Sequence, residues 1–165
     1  MQSAARQYSR GMTLMELMIV VVIVSILASI AVPSYIQQVR KSRRVEAKTA
    51  LLDLAGREER YFSTSVTGAN YSDIPSDVGY TGAAWPLQVG SNYYTVTVCV
   101  AKAVGATPAC DPNPNPPTAP SFYILATPVA GTTQANDQQC TSFGVDSIGA
   151  QFATGNQTAA FCWSN

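Results

Sequence analysis

From Met12 to Val32 the chain is apolar at every position except Thr13, Glu16, Ser25 and Ser29. No other feature limits the possible folds as strongly. A helix rising about 1.5 Å per residue would span roughly 32 Å over these positions, enough for a hydrocarbon core of about 30 Å. The eleven residues before it are polar and basic, with Arg6 and Arg10. A cleaved secretory signal would instead have an apolar run of about 7–15 residues closed by a small-x-small site. Ala28, Ser29, Ile30 and Ala31 make a poor version of that site, and helical periodicity continues beyond Pro33. The run therefore reads as a retained membrane helix. Glu16 needs a reason, because a carboxylate at a bilayer centre costs about 3 kcal/mol, less near an end, and by default marks function. The alternative is that it snorkels to the headgroups.

Pro33 is expected to kink or loosen the helix. Residues 34–62 then read as amphipathic helix, with Ala47, Leu51, Leu54 and Tyr61 recurring at spacings of three and four and Ala50 beside them. Arg43, Lys48, Arg57 and Glu59 mark the opposite face. The cluster Arg40, Lys41, Arg43 and Arg44 reads as a solvated face or as salt bridges to neighbouring chains. A DNA or lipid patch is disfavoured because no aromatics interleave with the cluster.

Beyond residue 62 the punctuation changes. Residues 63–92 carry Gly, Pro, Asn and Asp throughout and read as an irregular loop with one short strand, pinned by Tyr71, Tyr80 and Trp85. Residues 93–100 alternate as a strand, followed by strands at 122–127 and 142–146 and edge strands at 151–153 and 159–163. The predicted class is α+β: a long N-terminal helix, its first half in the membrane, laid on a small antiparallel sheet. Among charged residues beyond Arg60, Lys102 stands against Asp73, Asp77, Asp111, Asp137 and Asp146. Charged residues are 12% of the chain, about half the usual share. That composition suits an exported β domain. Four cysteines, Cys99, Cys110, Cys140 and Cys162, with no histidine and no CxxC spacing, point to two disulfides in an oxidising compartment rather than zinc. They also place the C-terminal domain outside the cytoplasm, a point that the basic residues on both flanks of the helix leave open.

The string Gly11-Met12-Thr13-Leu14-Met15-Glu16-Leu17 resembles the prepilin signature of type IV pilins and related pseudopilins. The resemblance implies that a prepilin peptidase cuts between Gly11 and Met12, methylates the new amine of Met12 and leaves Glu16 as the fifth mature residue, with a role in assembly. Met12 stands where phenylalanine is commonest. Ala126-Thr127-Pro128, Asp137-x-x-Cys140, Asp146-x-x-Gly149 and Cys162-Trp163 are similar to minor pilins of the pilin E type. The Pro/Asn-rich insertion at 102–121 has no counterpart in that pattern. Four cysteines allow three connectivities. Local closure favours Cys99–Cys110 and Cys140–Cys162, because Cys99 ends a strand whose return begins beyond Cys110. The second pairing additionally matches the family's C-terminal loop.

The domain reading is a leader at 1–11, a transmembrane and polymerisation helix at 12–32, an amphipathic helix at 33–62 and an exported domain at 63–165. The expected function is a structural subunit, a minor pilin held in the bacterial inner membrane and then drawn into a pilus at the cell surface. Its partners would be other pilin subunits, the prepilin peptidase, the inner-membrane assembly machinery and, before assembly, membrane lipid. No nucleic-acid site, cofactor, metal or catalytic residue is expected. Without histidine, nucleophile–histidine catalysis is excluded. Asp73 and Asp77 read as turn residues rather than calcium ligands. The alternatives are a type II secretion pseudopilin, the major pilin, or a membrane-anchored binding module that never polymerises and uses residues 111–120 as its ligand surface.

Overall fold

The computed structural model describes residues 11–65, 70–82 and 84–164. Residues 1–10, with Arg6 and Arg10 of the expected leader, lie outside the described residues. The chain divides into two compact units, Met1–Val39 and Arg40–Asn165, and helix α1 is Leu14–Thr64.

In the first unit every described residue up to Gln38 is exposed. The most apolar 18-residue window of α1 has a mean hydropathy of 2.7, and the helix is long and apolar enough to cross a membrane. Lipid offers no hydrogen bonds, so polar groups within a span must be satisfied by the span itself. Ser25 Oγ donates to the Val21 carbonyl and Ser29 Oγ to the Ile26 carbonyl, both at 2.7 Å. Helical backbone continues through Pro33.

The second unit is built on a five-stranded antiparallel meander in the order β1 Leu87–Val89, β2 Tyr94–Ala101, β3 Ser121–Pro128, β4 Ser142–Asp146 and β5 Gln151–Thr154. The alternation seen in the sequence becomes two faces. Tyr94, Val96 and Val98 of β2, Phe122, Ile124 and Ala126 of β3, and Phe143 and Val145 of β4 form one core with Ala47, Leu51 and Leu54 of α1. The loop of residues 70–82 supplies Tyr71 and Val78 to that core. This loop is more regular than expected, holding a 3-10 turn at Pro75–Val78 that ends on Gly79, whose φ of 78° suits a residue without Cβ.

The other sheet face is also covered. Tyr123 is 1% exposed, and Cys110, Pro112 and Pro114 of the insertion line a cavity of about 380 Å³ with Tyr123, Leu125, Gly144 and Phe152. Every residue of β4 is consequently buried.

The C-terminal segment departs from the sequence expectation. Residues 159–163 are not an edge strand; they belong to helix α2, Ala159–Ser164. A short apolar run has no period that separates strand from helix. Here the cap decides: Thr158 Oγ1 accepts from the Phe161 amide at 3.3 Å, ahead of two alanines. Lys48 Nζ donates to the Cys162 and Trp163 carbonyls at 3.2 and 3.1 Å, placing a cation at the negative end of α2.

Candidate functional site

The candidate site in the first unit is the start of α1. Gly11, Met12 and Thr13 precede the helix and are exposed. Thr13 acts as the cap: its Oγ1 accepts the Glu16 amide and its carbonyl accepts the Leu17 amide, each at 3.2 Å. Thr-x-x-Glu is the sequence of a capping box, a signal that the motif reading missed. Glu16 is exposed in the first turn, where the helix dipole favours a negative charge. Gly11, Met12 and Glu16 thus share one short exposed stretch, with regular helix beginning three residues past Gly11.

In the second unit the charge cluster on α1 breaks up. Arg44 is not on a solvated face and needs no neighbouring chain. It is 3% exposed, and its Nε and Nη2 donate to Asp137 Oδ2 and Oδ1, both at 2.7 Å. Nη2 also donates to Gln139 Oε1 at 3.0 Å, while Gln134 Nε2 bridges Asp137 to the Tyr94 hydroxyl. Buried guanidinium and carboxylate are tolerable only with such pairing. The sequence carried a sign of it, because Arg44 precedes Ala47 by three and so lies on the apolar stripe. Arg43 stacks on Tyr93, its Cζ 3.5 Å from the ring centroid, and donates to Thr133 Oγ1 at 2.6 Å. Lys41 is exposed.

Two disulfides close the unit. Cys99–Cys110 has a Cα separation of 5.9 Å and anchors the insertion to β2. Cys140–Cys162 has one of 5.7 Å and ties α2 to the loop that precedes β4. Asp73 pairs with Lys102 at 2.7 Å, which holds its carboxyl below the usual range, and Asp77 accepts from Ser72 Oγ at 2.7 Å. Among the described residues no group of three acidic, Cys or His side chains could hold a metal ion.

A helix with a capped start and an exposed apolar stretch of lipid length, joined in sequence to a disulfide-closed α+β domain, is the architecture of the pilin class. The family model for "Type IV minor pilin ComP, DNA uptake sequence receptor" matches residues 33–144, and that for the prokaryotic N-terminal methylation motif matches residues 6–32. The chain belongs to this type IV minor pilin family. It is also 43% identical over 72 residues to the type IV major pilin protein PilA of Myxococcus xanthus (strain DK1622). That match covers 44% of this chain and 31% of PilA, so the chain spans about a third of the length of that relative.

Proposed function

We propose that this chain is stored as a single-pass inner-membrane protein with its second unit in the periplasm. In this reading prepilin peptidase cuts between Gly11 and Met12 and methylates Met12. The assembly machinery then moves the subunit into the pilus, where α1 exchanges lipid for the helices of other subunits. The proposed division is leader 1–11, polymerisation helix 12–32, amphipathic helix 33–62 and exported domain 63–165, and the role is non-enzymatic. The observation that carries the reading is the exposed apolar helix that starts, capped by Thr13, immediately after Gly11 and Met12. Mass spectrometry of sheared pili tests it, with the mature chain expected to begin at methylated Met12 and to be present at low copy. Retention of Met1, or a terminus near Ala31, counts against it.

DNA contact is a second reading, favoured by the family's description as a DNA uptake sequence receptor. The sequence offered no aromatic beside the basic cluster, but the fold supplies one in Tyr93 under Arg43. Within the basic cluster Arg40, Lys41 and Arg43 remain once Arg44 is committed to Asp137, and on the sheet half Lys102 is paired with Asp73. Any DNA contact by this chain is therefore assigned to that helical turn rather than to the acidic sheet half. Binding that weakens with salt and is lost in Lys41→Ala/Arg43→Ala fits this assignment; unaltered binding by that variant removes it.

A further inference from the structure

Glu58 is 0% exposed and lies on the apolar stripe of α1, four residues after Leu54. Its Oε2 accepts the Ser72 amide at 3.0 Å, while its buried Oε1 has no hydrogen-bond partner among the described residues. The charges around it are of its own sign: Asp73 and Asp77 from the facing loop and Glu59 from its own helix. Of the cations on these elements, Arg57 is committed to Asp53 and the Val78 carbonyl and Lys102 to Asp73, while Arg60 is exposed to solvent. Tyr71 donates to Glu59 rather than to Glu58, at 2.9 Å. A buried carboxylate without a counter-ion is tolerated in neutral form and strongly disfavoured when ionised.

We propose that Glu58 is a proton-operated latch, which when neutral holds residues 71–78 on α1 and when ionised releases them. The Ser72 amide is the contact through which the latch acts. Ser72 also organises the segment, since its Oγ accepts the Ile74 amide at 3.1 Å and donates to Asp77 at 2.7 Å. Release uncovers a defined surface. Tyr71 stacks on Phe62 with centroids 4.8 Å apart and meets Phe122 edge-on at 4.7 Å, so detachment of its segment opens an aromatic patch. Burial, followed by the like charges of Asp73, Asp77 and Glu59, pushes the Glu58 carboxyl up to about 7 against the opposing Ser72 hydrogen bond. A raised acid makes the closed form the better proton binder. The latch is therefore tightest below the carboxyl's ordinary range, weakens as pH rises towards 7, and changes no further above it.

The test is amide exchange at Ser72 in the full-length chain in detergent micelles, with the Glu58 side-chain carboxyl followed by NMR in the same samples. After the intrinsic hydroxide dependence is removed, the Ser72 opening constant should rise about tenfold per pH unit from about pH 5 and level where Glu58 titrates. Glu58→Gln retains the acceptor and removes the charge, so its opening constant should stay flat. A Glu58 carboxyl titrating near 4.5, or a Ser72 profile whose plateau does not coincide with the carboxyl midpoint, overturns the proposal without any variant. An identical profile in Glu58→Gln overturns it as well.

Discussion

Arg44 and Asp137 form a two-pronged ion pair inside the second unit, both prongs at 2.7 Å, with the residues 3% and 2% exposed. They are 93 positions apart in the chain. The pair therefore fixes the loop between β3 and β4, which carries Gln134, Asp137, Gln139 and Cys140, to α1. A fork of fixed geometry sets register as well as attraction.

Arg44→Met is expected to destabilise the second unit by about 3–5 kcal/mol, because it strands a buried Asp137 carboxylate. Arg44→Lys should recover only part of this, since a point cation cannot make both bonds. Arg44→Met/Asp137→Leu should be more stable than Arg44→Met alone. Denaturant unfolding followed by tryptophan fluorescence checks all three; a double variant no better than the single would show that the loss is one of packing.

Removing Cys140–Cys162 by a double alanine substitution should cost about 3 kcal/mol in the chain-entropy model for a loop of this length. The loss should concentrate in α2, which would then be held without a covalent tie by contacts such as those of Lys48 and of Trp163, whose indole donates to the Phe152 carbonyl at 2.9 Å. Calorimetry gives the stability, and exchange at the Cys162 amide gives its location. Peptide mapping under non-reducing conditions should show Cys99–Cys110 and Cys140–Cys162; a Cys99–Cys140 link would refute this pairing.

Gly144→Ala is expected to destabilise by about 1–3 kcal/mol through overpacking. Its new methyl would overlap the ring and hydroxyl of Tyr123 on the insertion-covered face. Tyr123→Leu should relieve the clash in the double variant, whose melting temperature should exceed that of Gly144→Ala.

The sequence disclosed elements whose period was unbroken and hid those set by contact. Tyr94, Val96 and Val98 alternate in the sequence and in the sheet, and residues 142–146 were read with the bounds they have. Arg44 and Glu58 were harder, because a polar residue on an apolar stripe carries no mark of whether its stem skirts the core or its head enters it. What settles Arg44 is Asp137, far along the chain. α2 was misread because five residues, Ala159 to Trp163, satisfy either period, although Thr158 was a visible cap. The prolines of the insertion keep it out of the ladder but leave its base beside the sheet. Pro112 and Pro114, themselves exposed, line a cavity with Tyr123 and Phe152 because the Cys99–Cys110 bridge brings the insertion's base to the sheet.

Glu16 now has two physical roles to separate. As the last residue of Thr-x-x-Glu it can support the helix start, and as a carboxylate it can pair with the α-amine that cleavage would create on Met12. That amine has a reference pKa near about 8 and is mostly cationic at neutral pH, so within a bundle of apolar helices both charges would be costly unless paired. Glu16→Gln divides the two roles, because glutamine serves a capping box as well as glutamate does but carries no charge. If capping matters, Glu16→Gln protein should enter sheared pili at the wild-type ratio while Glu16→Ala does not. The charge role predicts that both variants insert in the membrane, fold, and are left out of pili. Incorporation of the variant itself must be measured, since the loss of a minor subunit need not change the number of pili. We expect exclusion of both variants, and wild-type incorporation of Glu16→Gln would remove the carboxylate's charge from the account of assembly.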